Sequence, residues 1–343
     1  MVGRAEALDL LRSEDLIGIG MAADAVRKRW HPEGIVSYII DRNINYTNFC
    51  TEYCTFCAFY RPVGHPEGYV LPKETIFQKI QETIGLGGTG ILMQGGLHPD
   101  LKIEWFEDLF RSIKQRFRIH LHCLSSPEVL NIAEVSGLPL RDTIARLMDA
   151  GLDSIPGGGA EILDDDVRRR VSRLKCSTAE WLEVHRVAHS LGMRTTATMM
   201  FGCGETLEQR MNHFEAVRRL QEETGGFTAF IPWTYQRENT PLARSIKEEA
   251  SAVEYLKTLA VARIYLENIE NIQSSWVTQG LKTCQVGLRF GANDVGSIMI
   301  EENVVSAAGA HHRASEEELR RMIREAGFIP KQRDTLYRTY FLN

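Results

Sequence analysis

The chain has 343 residues, 43% of them hydrophobic and 25% charged, with a net charge of −5. This composition suits a soluble globular enzyme able to bury a sizeable core, excludes disorder, and gives no basic field for nucleic acid or an anionic membrane. Seven cysteines, an odd number spaced unevenly and with no basic-apolar-small leader before them, favour a metal or redox role in the cytoplasm over a disulfide framework.

The first 30 residues read as helical, with a start signal at "SEDL", residues 13 to 16. From residue 35, short β-type runs alternate with amphipathic helical runs: "IVSYIIDRNINYTN", "KETIFQKIQETIGLG", "GILMQGG", "IEWFEDLFRSIKQRF", "RIHLHCL". The alternation continues through "DTIARLMDAG", "LDSIPGGG", "TAEWLEVHRVAHSLG", "RTTATMMFG", "LEQRMNHFEAVRRLQEETGG", "FTAFIPW", "AVEYLKTLAVARIYL" and "NIQSSW". Glycines at 85, 87, 88, 151, 192 and 225 punctuate the helix ends. Roughly seven or eight strand–helix units predict a parallel (β/α)8 TIM-type barrel. The boundaries expected are one domain over 1–343, with a helical cap at 1–34, the barrel at 35–300 and a helical extension at 301–343. In that extension "SEEELRRMIREAG" opens on a capping box, Ser315 to Glu318.

Glycine-rich and polar signals follow the predicted strands: "QGGLHP", "PGGGAE", "CGET", "TYQREN", and "ANDVGS" after "VGLRFG". In a parallel barrel these positions form the mouth, where active sites assemble. At the same mouth falls "YTNFCTEYCTFCAFYRP", a C-x3-C-x2-C loop of Cys50, Cys54 and Cys57. Three thiolates close in sequence select zinc, copper(I) or an iron–sulfur cluster. A closed zinc site wants four ligands, and only His65 stands near enough in sequence to complete one. Three cysteines on an iron–sulfur cluster leave one iron open to another molecule.

At these residues the chain resembles the radical S-adenosylmethionine (SAM) superfamily, and the resemblance implies a [4Fe-4S] cluster on Cys50, Cys54 and Cys57 whose open iron binds SAM. It further implies that Phe56 lies against the adenine, that the Gln94–Gly95–Gly96 turn meets the SAM ammonium, and that Glu161 bonds the ribose hydroxyls; Glu161 could instead cap a helix beginning at Ile162. "DRNINYTN", "CAFYRP", "QGGLHPDL", "IPGGGAEIL", "FTAFIPWTYQ", "GANDVGS" and "AGFIPKQRDTLY" extend the resemblance over residues 35 to 340, to the radical SAM cyclases of the futalosine route to menaquinone. Aminofutalosine synthases and deazaflavin-precursor synthases share several of these motifs and are the alternatives, with a structural zinc protein outside the class.

The cyclase resemblance implies dehypoxanthine futalosine as substrate, hydrogen abstraction at the sugar C4′, bonding of that carbon to the benzoate ring, and loss of a proton and an electron. A flavodoxin- or ferredoxin-like protein would supply the electron that starts the reaction. The ring proton needs an acceptor, for which Asp294, His98, Tyr60 and Glu205 are the candidates. Trp233, Tyr235 and Gln236 are candidates to line the pocket, and a basic residue within 164–175 to reach the SAM carboxylate. One departure stands out: relatives are expected to read "FGHxET" where this chain reads "FGCGET", with Cys203 in the histidine's place.

Overall fold

A computed structural model describes residues 2–341. The helical N-terminus is split at Ser13–Asp15 into α1 (Arg4–Arg12) and α2 (Leu16–Trp30), and the Asp15 side chain caps α2 by accepting from Gly18 N. Then follow β1 (Ile35–Ile39), β2 (Asp41–Ile44), α3 (Lys73–Gly85), β3 (Gly90–Met93), α4 (Ile103–Arg116), β4 (His120–Cys123), α5 (Ser126–Ser136), α6 (Leu140–Ala150) and β5 (Ser154–Ile155). The second half runs α7 (Asp165–Val171), α8 (Thr178–Ser190), β6 (Arg194–Phe201), α9 (Leu207–Thr224), β7 (Phe227–Thr234), α10 (Ala252–Tyr265), β8 (Asn271–Ile272), α11 (Trp276–Gly287), β9 (Asp294–Ser297), α12 (Glu316–Glu325) and β10 (Ile329–Gln332).

Every pairing between these strands is parallel. Seven strands run in the order β2 to β8, and a second sheet runs β10–β1–β9. The two sheets are one ring: β1 passes into β2 across Ile40, and Gln273, just beyond β8, bridges Asp294 of β9. Counting β1 and β2 as one interrupted strand, eight parallel strands enclose the axis, which is the predicted TIM-type barrel. Apolar helix faces cover it outside, among them Phe106, Leu109, Phe110 and Ile113 of α4 and Met211, Phe214 and Val217 of α9.

Several elements differ from the sequence reading. "VGLRFG" is not a strand, because α11 runs through Gly287 and the strand is "DVGS" itself. Asp294 therefore starts β9, at the bottom of the barrel, rather than following a strand at the mouth. No helix begins at Ile162: α7 starts three residues later, with the Asp164 carboxylate accepting from Asp166 N and Val167 N. Gly85 lies inside α3, while Gly87, Gly151, Gly192 and Gly225 have the positive φ expected past a helix end. The capping box at Ser315–Glu318 forms, and beyond α12 the chain adds a strand, β10, that pairs with β1 from Ile35↔Ile329 to Tyr38↔Gln332.

Candidate active site

The cysteine loop follows β2 at the mouth and is tied to four separate segments. Cys50 N donates to Arg61 O (3.0 Å), Thr51 N to Leu97 O (3.1 Å) and Thr55 N to Val171 O (2.8 Å), while Leu242 N donates to Thr55 O (2.8 Å). Cys50 and Cys54 are buried and Cys57 half-buried, all three as free thiols. Burial pushes the Cys50 thiol up and Cys54 to about 12, so the pocket disfavours thiolates until a cation neutralises them. Among the described residues no three histidine, cysteine or acidic side chains converge closely enough to hold a single ion. A cluster asks for less convergence, since each thiolate meets its own iron.

Beside the loop stands a buried ion pair. Lys175 Nζ donates to Glu161 Oε1 at 2.8 Å, with side chains 14% and 5% exposed. Burial opposes the Lys175 charge, but Glu161 and Cys54 outweigh it and raise its pKa. Lys175 Nζ also lies 5.3 Å from the centre of the Phe56 ring. Among the basic residues of 164–175 it is the one the fold brings to the cysteines; Arg168 is spent on the carbonyls of Gly159, Ala160 and Cys176. Glu161 sits at φ 41°, an uncommon conformation for a residue with a Cβ, and its buried Oε2 has no partner.

The "QGG" turn is built from below. Glu128 of α5 accepts from Gly95 N (2.9 Å) and from the Tyr46 hydroxyl (2.8 Å) through Oε1, and from Ser125 N (2.7 Å) through Oε2. A Cβ on Gly96 would lie 2.2 Å from Phe49 O and 2.8 Å from Cys50 Cβ, so only glycine lets this turn press against the cysteine loop.

A cavity of about 320 Å3 runs down the barrel axis. Gln94, Gly158, Gly159 and Glu161 line it toward the mouth, Ile231, Trp233, Val277 and Met299 give it an apolar wall, and Thr196, Thr198, Ser275 and Thr278 add hydroxyls. Asp41, His122, Ser297, Arg333 and Tyr337 also line it. Arg333 grips Asp294 through Nε to Oδ2 (2.6 Å) and Nη2 to Oδ1 (2.9 Å), and Ser37 Oγ donates to the same carboxylate at 2.6 Å. Asp41 is pushed up to about 6 by burial, against a hydrogen bond from Ser297 and the charge of Arg333.

The four candidate bases lie apart from this lining. Asp294 stands behind Arg333 with both oxygens engaged, Oδ1 also accepting from Gly296 N at 2.8 Å. Glu205 is consumed by Gly202 N, Cys203 N (both 2.9 Å) and Arg210 (2.6 Å). His98 packs edge-on to Phe49 at 5.6 Å, and its Nδ1 accepts from Asp100 N. Tyr60 packs against Tyr53, with its pKa raised by burial and the nearby Cys57. Cys203, buried, sits over Glu205 at 3.4 Å and closes that turn without reaching the cavity lining. Of the three pocket candidates, Trp233 faces the cavity, whereas Tyr235 is buried against Thr240 and Gln236 folds onto Thr234. Asp41, His122, Arg333 and Tyr337 were passed over in the sequence; the alternation of "HLH" inside a barrel strand is the signal that could have placed His122.

Residues 44–217 match the family model "Radical SAM superfamily", and residues 224–342 the model "CofH/MqnC C-terminal region". The chain is 50% identical to a cyclic dehypoxanthine futalosine synthase of Halalkalibacterium halodurans, covering 97% of this chain and 90% of the relative. It is 46% identical to the synthase of the same name from Streptomyces coelicolor, covering 97% and 84%. A 5-amino-6-(D-ribitylamino)uracil–L-tyrosine 4-hydroxyphenyl transferase of Methanothermobacter thermautotrophicus is 42% identical, covering 98% and 94%. The fold matches the crystal structure of methylornithine synthase with a TM-score of 0.74 at 19% identity, covering 96% of this chain and 94% of that one.

A [4Fe-4S] cluster and SAM are the cofactors of this superfamily, and the site fits both: three thiols on one loop suit the cluster, and the orphaned Glu161 Oε2 with the neighbouring cationic Lys175 suits a ligand carrying hydroxyls and a carboxylate. The chain belongs to the radical SAM superfamily, in the family of the cyclic dehypoxanthine futalosine synthases.

Proposed function

We propose that the chain cyclises dehypoxanthine futalosine in the making of menaquinone. The observation that carries this reading is the 50% and 46% identity to synthases of that name over 97% of the chain, above the 42% to the hydroxyphenyl transferase. When bound, the cluster and SAM would supply hydrogen-abstracting radical chemistry, directed on this reading at the sugar C4′. Cys50, Cys54 and Cys57 would hold the cluster, with Phe56, the Gln94–Gly96 turn, Glu161 and Lys175 around SAM.

The chain's own contribution is an oriented chamber along the barrel axis. Trp233, Ile231 and Val277 offer an apolar wall to an aromatic ring, and Thr196, Thr198, Ser275 and Thr278 offer hydroxyls to a sugar. Holding the sugar against the ring matters, because a carbon radical left in reach of weak C–H or S–H donors is quenched before it bonds to the ring. Cys57, half-buried, and the half-exposed Tyr53 bring the cluster loop toward the surface, where a flavodoxin- or ferredoxin-like donor would deliver its electron. No helix among the described residues is long and apolar enough to cross a membrane; the reading places the enzyme in the cytoplasm, as one working unit of barrel, N-terminal cap and C-terminal extension.

The test is mass spectrometry of an anaerobic reaction of the reconstituted protein with SAM, a reductant and dehypoxanthine futalosine. A product two hydrogens lighter than the substrate, formed with 5′-deoxyadenosine, is expected; 5′-deoxyadenosine beside unchanged substrate would reject the assigned substrate. Tyrosine with 5-amino-6-(D-ribitylamino)uracil should give no adduct, and Cys54→Ala should remove both the brown cluster absorbance and SAM cleavage.

A further inference from the structure

His120 and His122 sit two residues apart on β4 and so face the same side, into the barrel. The register that sets His122 opposite Ser154 of β5 puts one hydroxyl between the two rings. Ser154 Oγ lies 2.6 Å from His122 Nδ1 and 2.7 Å from His120 Nε2. A hydroxyl has one hydrogen to give and lone pairs to receive. With each imidazole carrying its proton on Nδ1, Ser154 accepts from His122 Nδ1 and donates to His120 Nε2, and the three groups form a continuous donor–acceptor chain.

The two ends of that chain lie in different surroundings. His122 lines the cavity, and with Nδ1 taken by Ser154 its Nε2 is the nitrogen left for a ligand. His120 is the first residue of its strand, at the end of the barrel opposite the mouth, half-buried, with Asp153, Lys114, Asp334 and Arg338 as its charged neighbours. Asp153 and Lys114 there are paired with each other and about one third exposed.

We propose that His122, Ser154 and His120 are a proton relay that carries the proton lost from the substrate's aromatic ring out through the bottom of the barrel. This rests on the cyclase reading. Once the sugar carbon has bonded to a ring carbon, the C–H bond at that carbon breaks. The proton goes to His122 Nε2, the bonding pair returns to the ring π system, and the surplus electron leaves to a one-electron acceptor of the iron–sulfur class. His122 passes its Nδ1 proton to Ser154 Oγ, and Ser154 passes its own to His120 Nε2, from which water takes one; exchange with water then restores the starting tautomers.

Burial, then His120 and Arg333, push His122 down to about 3, so it hands a proton on rather than storing it. Three carboxylates also line the cavity. Glu161 is paired with Lys175, Glu302 accepts from the backbone N–H groups of Val304, Val305 and Ser306, and Asp41 meets Ser297 and the buried Arg333–Asp294 pair.

The test uses substrate deuterated at C4′ and the Ser154→Ala variant. Deuterium transfer into 5′-deoxyadenosine should continue within about twofold of the natural enzyme, while cyclised product per 5′-deoxyadenosine falls by about tenfold or more. His120→Gln, at a half-buried rim position, should repeat the uncoupling. In the protein without cofactors, Ser154→Ala should shift the side-chain 15N signals of both His120 and His122, which a serine serving only as packing would not do. Product and 5′-deoxyadenosine falling in parallel, or an unchanged ratio, would overturn the relay and leave the cyclase reading intact. Uncoupling in Asp41→Asn but not in Ser154→Ala would also overturn it, in favour of Asp41 as the base. Absence of cyclised product from the natural enzyme would instead remove the cyclase reading, and the relay with it.

Discussion

Glu161 holds a backbone conformation that most residues avoid, and its Oε2 is buried without a partner. Strain and an unmet acceptor in one residue mark a site waiting for a ligand; in the sequence that role was implied only by the family resemblance of the "PGGGAE" stretch, with a helix cap as the alternative. Asp41 was not readable in the same way, because its identity as a cavity group depends on where β1 gives way to β2. With its folded value near 6 and its ordinary value near 4, the folded protein binds more protons than the unfolded chain between those limits. Stability from this group is therefore greatest at and below about pH 4 and declines as pH rises toward 6. Asp41→Asn removes that component, so the stability difference between the variant and the natural protein should grow in the variant's favour from pH 4 to 6 and level off above, as read by urea unfolding at stepped pH. A difference independent of pH would show that the Asp41 carboxyl titrates normally.

Helix α5 shows how one element serves two structures. Its N-terminal residues "SSPE" form a capping box with Ser125 before the helix and Glu128 in its first turn. The same carboxylate then reaches across to Gly95 N and Tyr46, so the helix start also fixes the "QGG" turn. The sequence announced the turn but not its support, since Glu128 stands 33 residues from Gly95 and its second use appears only when β3 and β4 pair. Glu128→Ala strands several buried donors and should cost about 3 kcal/mol of stability, with SAM binding weakened in calorimetry and the iron content of the reconstituted protein retained. Gly96→Ala should show the reverse order of effects. Its Cβ collides with Phe49 O and Cys50 Cβ, so iron content should fall first. Equal iron content in Gly96→Ala and the natural protein would mean that the cysteine loop yields without cost.

At the scale of the whole molecule, what the sequence disclosed and what it hid divide along the barrel axis. The mouth was legible because its chemistry is contiguous: three cysteines, the "QGG" turn and the "PGGG" turn each declare themselves within a few residues. The bottom is assembled from Ser37, Asp294 and Arg333, which belong to β1, β9 and the segment after β10 and share no local pattern. Two of them lie in stretches that carried the family resemblance, "GANDVGS" and "AGFIPKQRDTLY", so the motifs were visible while their physical purpose was not. That purpose is closure: the Asp294–Arg333 pair ties the last segment to β9 where the ring of strands closes through the short Gln273↔Asp294 bridge and the hydrogen bonds around it. With the two side chains 0% and 5% exposed, removing one partner leaves an uncompensated buried charge. Arg333→Met should therefore destabilise the protein by about 3–5 kcal/mol, whereas Arg333→Met combined with Asp294→Asn should recover much of that loss. Unfolding of the two single variants and the double variant measures the coupling directly. Additive losses would mean that the pair does not hold the seam, and that β10 is kept in place by its ladder with β1 alone.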